Sequence, residues 1–290
     1  MLKKAGPLLI AANHPNSFLD AIIIASIFRK PVYSLARGDV FKGKFISKIL
    51  SSLNMLPVYR ISEGAENLGN NYSTFDACNT IFKKNGIVLI FSEGRCINEW
   101  KLRPLKKGTA RLALAAWQEN YPLEVLPVGI NYSSFRLFGK NIVLNFGSLI
   151  TKEDSGPDFS SGKGINKFNE NLRSQLENLV IEIEGGDKEI LKNHFYFHQP
   201  FLKKIFLSIP AVLGYLFHFP LYYPIHLLIK NNANDHYDSI MIGLLFFIYP
   251  FYLIAVTLIV YFITLNYFSF FLLLLIPLTA LALLHFKKQI

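Results

Sequence analysis

Cysteine is scarce in this chain of 290 residues, which holds only Cys78 and Cys96. Two thiols build neither a disulfide framework nor a thiolate metal site, and they fit a reducing, cytoplasmic setting for the folded part. Basic runs interleaved with aromatics, the usual grip on nucleic acid, are lacking, so no nucleic-acid partner is expected. Internal repeats and low-complexity tracts are absent too. The apolar stretch Pro7–Ala12 is shorter than the ~7–15-residue core of a secretory signal and runs straight into Asn13-His14, so no cleaved leader is expected. Acids are the minority charge, 20 against 30 Lys and Arg for a net charge of +10. That balance suits an anionic surface or anionic substrates.

Charge is scarcest toward the C-terminus. From Phe201 onward there are five bases (Lys203, Lys204, Lys230, Lys287, Lys288) and two acids (Asp235, Asp238). The first 200 residues therefore hold 25 of the 30 bases and 18 of the 20 acids, a net of +7. The break near Gln199-Pro200 divides a domain, 1–200, from a membrane region, 201–290. Ser239–Leu265 is 27 residues without a charge, about 40 Å as a helix, enough to cross a ~30 Å hydrocarbon core. Phe268–Phe286 is also sufficient, so 239–265 and 268–286 read as a transmembrane hairpin. The stretch 205–229, with Pro210, Pro220 and Pro224 beside His218 and His226, reads as an interfacial or re-entrant segment. The flanking lysines favour the cytoplasmic side for the domain, since a hairpin returns both its ends to one face.

Within 1–200, short β-rich runs alternate with helical patterns. Strands are expected at Pro7–Ala12, Val32–Ala36, Met55–Tyr59, Gly86–Phe91, Val125–Asn131 and Asn141–Phe146. Helices are expected at Leu19–Phe28, Lys44–Leu53, Tyr72–Lys84 and Gly108–Gln118, with a long amphipathic one over Lys163–Glu184. This is the pattern of an α/β fold: a mostly parallel central sheet flanked by helices. Ligands of such sheets gather at the carboxyl ends of strands. His14 follows the first strand, Arg60 the third and Glu93 the fourth, so all three are expected at one edge.

Four segments carry candidate chemistry. In Asn13-His14-Pro15-Asn16-Ser17-Phe18-Leu19-Asp20, a histidine suits proton removal from a hydroxyl, and a carboxylate nearby fixes its tautomer. A strand-end histidine beside a helix-capping acid is the plainer reading of the pair taken alone. Leu56-Pro57-Val58-Tyr59-Arg60 ends a strand on an arginine. Phe91-Ser92-Glu93-Gly94-Arg95 leads into a loop with Arg103, Lys106 and Lys107 before a helix, a composition that suits phosphate oxygens. Val125-Leu126-Pro127-Val128-Gly129-Ile130 reads as a core strand.

In order and approximate spacing these four segments resemble the four motif blocks of the glycerolipid acyltransferases, whose members include the lysophosphatidate (1-acyl-glycerol-3-phosphate) acyltransferases. The resemblance spans Pro7 to Asn131. It implies transfer of a fatty acyl group from acyl-CoA or acyl-carrier protein to a glycerophosphate hydroxyl at a phospholipid membrane, without a metal or other cofactor. It implies His14 as general base and Asp20 as its partner, with Arg60, Glu93 and Gly94 holding the phosphate-bearing acceptor. Two departures stand out. Five residues, not four, separate His14 from Asp20, and one extra helical residue turns a side chain by about 100°. The turn at Pro15-Asn16 must therefore absorb it. The third block reads Glu93-Gly94-Arg95 rather than Glu-Gly-Thr-Arg, which moves the phosphate role among Arg95, Arg103, Lys106 and Lys107. The segment Leu102–Arg111 is similar to that of glycerol-3-phosphate acyltransferases, leaving the acceptor open between lysophosphatidate and glycerol-3-phosphate. The competing classes are a metallophosphatase, which needs further His and Asp ligands, and a non-catalytic lipid-binding module.

Overall fold

The computed structural model describes residues 6–59, 70–155, 161–198 and 200–286, without the side chains of 70–73 and 234. The chain divides into two compact units, Met1–Asn131 with Val143–Glu184, and Tyr132–Ile142 with Gly185–Ile290.

The first unit is the expected α/β fold. Its strands are β1 (Leu8–Ala12), β2 (Val32–Arg37), β3 (Met55–Val58), β4 (Ile87–Phe91), β5 (Glu124–Tyr132) and β6 (Ile142–Phe146), arranged β3-β2-β4-β1-β5-β6. β1 runs parallel to both β4 and β5, with Ala12 opposite Phe91 and Val128, and β2 runs parallel to β3 and β4. A strand with neighbours on both sides and helices on both faces must be apolar throughout. All five residues of β1 are accordingly at most 1% exposed.

Helices α1 (Phe18–Ile27), α2 (Lys44–Ser52), α3 (Asn70–Lys83), α4 (Gly108–Gln118), the four-residue α5 (Lys152–Ser155) and α6 (Gly162–Leu179) complete the unit. α4 and α6 supply much of the core through Ala110, Ala113, Trp117, Phe168, Leu172 and Leu176. α6 stops five residues before its expected end. Asn131 Oδ1 accepts from the Ile181 amide at 2.7 Å, while Asn131 Nδ2 and Asn145 Nδ2 donate to the Leu179 carbonyl. A Cβ on Gly129 would lie 2.3 Å from that carbonyl oxygen, so only glycine admits the helix end there. Cys78 lies wholly in the core, and burial pushes its thiol up to about 12. It is a packing residue rather than a nucleophile.

The second unit contains α7 (Lys188–Phe195), which the sequence patterns did not reveal, α8 (Phe201–Ile229), α9 (Tyr237–Thr264) and α10 (Leu272–Phe286), the last entered through a 3-10 turn over Tyr267–Phe271. Phe201–Ile229, Tyr237–Thr264 and Tyr267–Phe286 are each long and apolar enough to cross a membrane. Over 205–229, expected as an interfacial or re-entrant segment, Pro210, Pro220 and Pro224 lie inside one helix of 29 residues. Neighbours offset the disruption: Tyr252 Oη donates to the Phe217 carbonyl at 2.6 Å, in the turn that Pro220 enters. Gly214 lets α8 meet α10 closely, since a Cβ there would lie 2.2 Å from the Thr279 carbonyl oxygen.

Candidate active site

Parallel pairing of β1, β4 and β2 brings the ends of these strands to one edge of the sheet. Beyond β1, Asn13 turns its side chain onto β5. Its Nδ2 donates to the Ile130 carbonyl at 3.0 Å and its Oδ1 accepts from the Ile130 amide at 2.7 Å. This two-point clamp fixes where the chain leaves the sheet. The next residue is His14.

His14 Nδ1 lies 2.9 Å from Asp20 Oδ2. The same carboxylate oxygen accepts from the Asn16 amide at 2.8 Å. Asp20 is fully buried in the first turn of α1, with these two donors facing its carboxylate. With Nδ1–H donating to the carboxylate, Nε2 is the basic nitrogen. The imidazole stacks on Phe91 with ring centroids 3.8 Å apart and planes 7° apart, and it keeps 17% of its side-chain surface exposed. The extra residue between His14 and Asp20 is taken up before α1 begins, within Pro15–Ser17. The cost falls at Ser17, whose φ of 56° and ψ of −138° are a conformation that side chains other than hydrogen rarely adopt.

A second segment lies over this turn. The Ile97 amide donates to the His14 carbonyl at 3.3 Å, Asn98 Nδ2 donates to the Pro15 carbonyl at 2.7 Å, and the Ser17 amide contacts Cys96 Sγ at 2.9 Å. Glu93 anchors that segment. Its Oε2 accepts from the His14 amide at 2.8 Å and its Oε1 from the Arg103 amide at 2.9 Å. Burial pushes the Glu93 carboxyl upward from its ordinary value, and the two backbone donors with the nearby His14 and Arg103 charges pull it partly back. Both oxygens are thus engaged with main chain, and one carboxylate holds the backbone of His14 and that of the basic loop together. Gly94 has a φ of 66°, which favours glycine, and a Cβ there would lie 3.1 Å from Lys106 Cγ.

The cations differ in setting. Arg95, Lys106 and Lys107 are exposed. Arg103 is half-buried, with Nε 3.2 Å from Glu99 Oε1 and Nη1 buried without a partner among the described residues. Lys107 precedes α4, whose N-terminus has no side-chain cap, and Thr109 Oγ1 donates to Ser92 Oγ at 3.0 Å. Arg60 lies outside the described residues. Among the described residues no group of three or more His, Cys, Asp or Glu side chains gathers as metal ligands would. Asn13, Phe91, Cys96 and Asn98 were given no part from sequence. Asn13 stands beside His14 in the first motif segment and Phe91 opens the third, whereas no role was read for Cys96 and Asn98.

Comparison with known proteins gives a family match and a likeness to solved structures. No curated protein matches the chain. Among solved structures, the 1-acyl-sn-glycerophosphate (LPA) acyltransferase PlsC from Thermotoga maritima is similar at 17% identity and a TM-score of 0.43, over 63% of this chain and 68% of that one. Residues 1–131, the stretch holding β1 to β4, His14, Asp20, Glu93 and the basic loop, match the family profile described as Acyltransferase. Over residues 1–131 the chain is thus similar to the acyltransferase family.

Proposed function

We propose that the protein transfers a fatty acyl group from a thioester, acyl-CoA or acyl-carrier protein, to the free hydroxyl of lysophosphatidate, making phosphatidate. The observation that carries this reading is the His14–Asp20 pair, 2.9 Å apart at one ring nitrogen, with the His14 ring partly exposed at the sheet edge, in a stretch matched by the acyltransferase family. Asp20 holds the proton on Nδ1. Nε2 of His14 removes the proton of the acceptor hydroxyl as its oxygen bonds to the thioester carbonyl carbon. The tetrahedral intermediate then collapses, the C–S bond breaks, and the leaving thiolate takes the proton from His14. Asp20 stays ionised and stabilises the imidazolium in between. No cofactor enters this sequence.

The acceptor's phosphate meets the basic loop. Arg103 is the best placed cation, because its buried, unpartnered Nη1 gains a charge-assisted bond without first giving one up. Lys106, Lys107 and the uncapped N-terminus of α4 add positive potential, with exposed Arg95 beside them and Arg60 as a further cation by its motif. Glu93 and Gly94 act by position, holding the loop against His14, since a carboxylate bound to two amides does not bind phosphate. The three helices able to cross a membrane keep the domain beside its lipid substrate, on the cytoplasmic face by Lys203-Lys204 ahead of α8.

The test uses detergent-purified protein with oleoyl-CoA or oleoyl-acyl-carrier protein as donor, and lysophosphatidate or glycerol-3-phosphate as acceptor. Transfer to lysophosphatidate that falls about 10²–10⁴-fold in His14→Ala is the expected result. Transfer only to glycerol-3-phosphate moves the acceptor and keeps the chemistry. No transfer to either, or full activity in His14→Ala, overturns the reading.

A further inference from the structure

α2 is the least buried helix of the first unit, and its sequence is at odds with water. Lys44-Phe45-Ile46-Ser47-Lys48-Ile49-Leu50-Ser51-Ser52 places Phe45, Ile46, Ile49 and Leu50, with Leu53 just beyond, on one helical face. None of the helix's residues is buried. Phe45 is 77% exposed, Ile46 50%, Ile49 43% and Leu53 50%, and Val40 in the preceding 3-10 turn is 45% exposed. Scattered exposed apolar residues need no explanation, but a continuous stripe along an otherwise well-formed helix does.

The opposite face says what covers the stripe. Lys44 and Lys48 project from it, Lys42 stands ahead of it, and all three are exposed. No acid occurs between Val40 and Asn54, and the nearest, Asp39, is held by Arg37. Apolar residues on one side and cations on the other are the signature of a helix lying in the headgroup region of an anionic bilayer. A protein partner would call for acids opposite those lysines, whereas a bilayer supplies both the apolar depth and the negative surface. The helix is also well placed. The 3-10 turn Gly38–Phe41 leaves the end of β2, at the same sheet edge from which His14 leaves β1.

We propose that α2 is an interfacial docking helix, which seats the catalytic edge of the sheet on an anionic phospholipid surface with Phe45, Ile49 and Leu53 below the headgroups. This contact is separate from the C-terminal helices and does not depend on which acceptor is used.

The full chain carrying Phe45→Trp is reconstituted into vesicles of equal parts phosphatidylcholine and phosphatidylglycerol, and the emission of the unsubstituted chain, from Trp100 and Trp117, is subtracted. The added emission should shift to the blue and lose at least half its intensity with brominated acyl chains, while Lys48→Trp on the polar face should respond to aqueous iodide instead. The Phe45→Trp quenching should fall at least twofold in phosphatidylcholine alone, or when Lys42, Lys44 and Lys48 are changed to glutamate. Quenching by iodide but not by brominated lipid overturns the proposal. Protection from both quenchers overturns it as well, because protein then covers the helix. Equal quenching in neutral vesicles overturns the assignment to an anionic surface.

Discussion

His14 in the sheet unit and His218 in the helical unit are both half-buried histidines bonded through Nδ1, and they differ at the other nitrogen. His218 Nδ1 bonds the Gly214 carbonyl at 2.7 Å and its Nε2 bonds Tyr249 Oη at 2.9 Å, so both ring positions are occupied. His14 uses Nδ1 on Asp20 and has no Nε2 partner among the described residues. The partners differ in kind as well. A carboxylate stabilises the charged imidazolium that forms when the ring takes a proton, whereas a carbonyl and a phenol give it only dipoles. Two polar contacts hold the His218 ring in its packing, whereas one ionic contact with the second nitrogen left over is the arrangement that the proposed base requires.

The strongest way to break this comparison is to alter one partner of each ring. Asp20→Asn keeps the shape and removes the charge. It should lower kcat about 10²–10⁴-fold with little change in KM, as expected when a base loses its orientation and its counter-charge. Tyr249→Phe should leave kcat within about twofold and cost roughly 1 kcal/mol of stability, the value of one hydrogen bond. Steady-state kinetics beside thermal melts in detergent read both. A loss of rate in Tyr249→Phe comparable to that in Asp20→Asn would erase the distinction.

The next effect concerns what holds His14 from behind. Glu93→Gln leaves an amide NH₂ facing one of the two backbone donors now bound by the carboxylate, and should destabilise the fold by about 1–3 kcal/mol. Its pH dependence has a definite sign. The Glu93 carboxyl is raised in the folded state, so its contribution is fully present below the unfolded carboxylate value and is lost as pH rises through the raised value. The gap in Tm between the unsubstituted chain and Glu93→Gln should therefore narrow as pH rises from acid toward neutral. A gap that widens would mean that the amides outweigh burial at this carboxylate.

How much of this was legible in the sequence depends on which groups carry the contact. Strands announced themselves by apolar runs, and all six begin within one residue of their expected starts. His14 and Asp20 were legible because side chain meets side chain. The grip of Glu93 on His14 was not, since its target is a main-chain amide 79 positions away, and an amide has no residue-type signature. The end of α6 was misplaced for the same reason: Asn131 and Asn145 stop it through main-chain bonds to Leu179 and Ile181. α7 did carry a signal, Asp187, whose carboxylate caps the Glu189 and Ile190 amides, but eight residues make a weak periodic pattern. In α8 three prolines read as interruptions and are instead housed in one helix.

The smallest effect tests how the turn brings Asp20 to His14. The expectation placed the adjustment at Pro15-Asn16, and the strain falls one residue later, at Ser17, with φ 56°. A serine gives no hint of that in sequence, because its own preferences oppose it. Ser17→Gly removes the Cβ that makes this conformation costly, against a small loss from the greater freedom of the unfolded chain. A net gain of about 1 kcal/mol is expected, read as a higher Tm in detergent. If the Asn16 amide alone sets the geometry, the gain appears with kcat unchanged. A fall in kcat with the same gain in Tm would mean that the strained serine, and not only the chain length of the turn, directs Asp20 onto Nδ1. The contrast with His218 would then extend to the backbone, because that ring sits inside helix α8 and His14 depends on a turn with a positive φ.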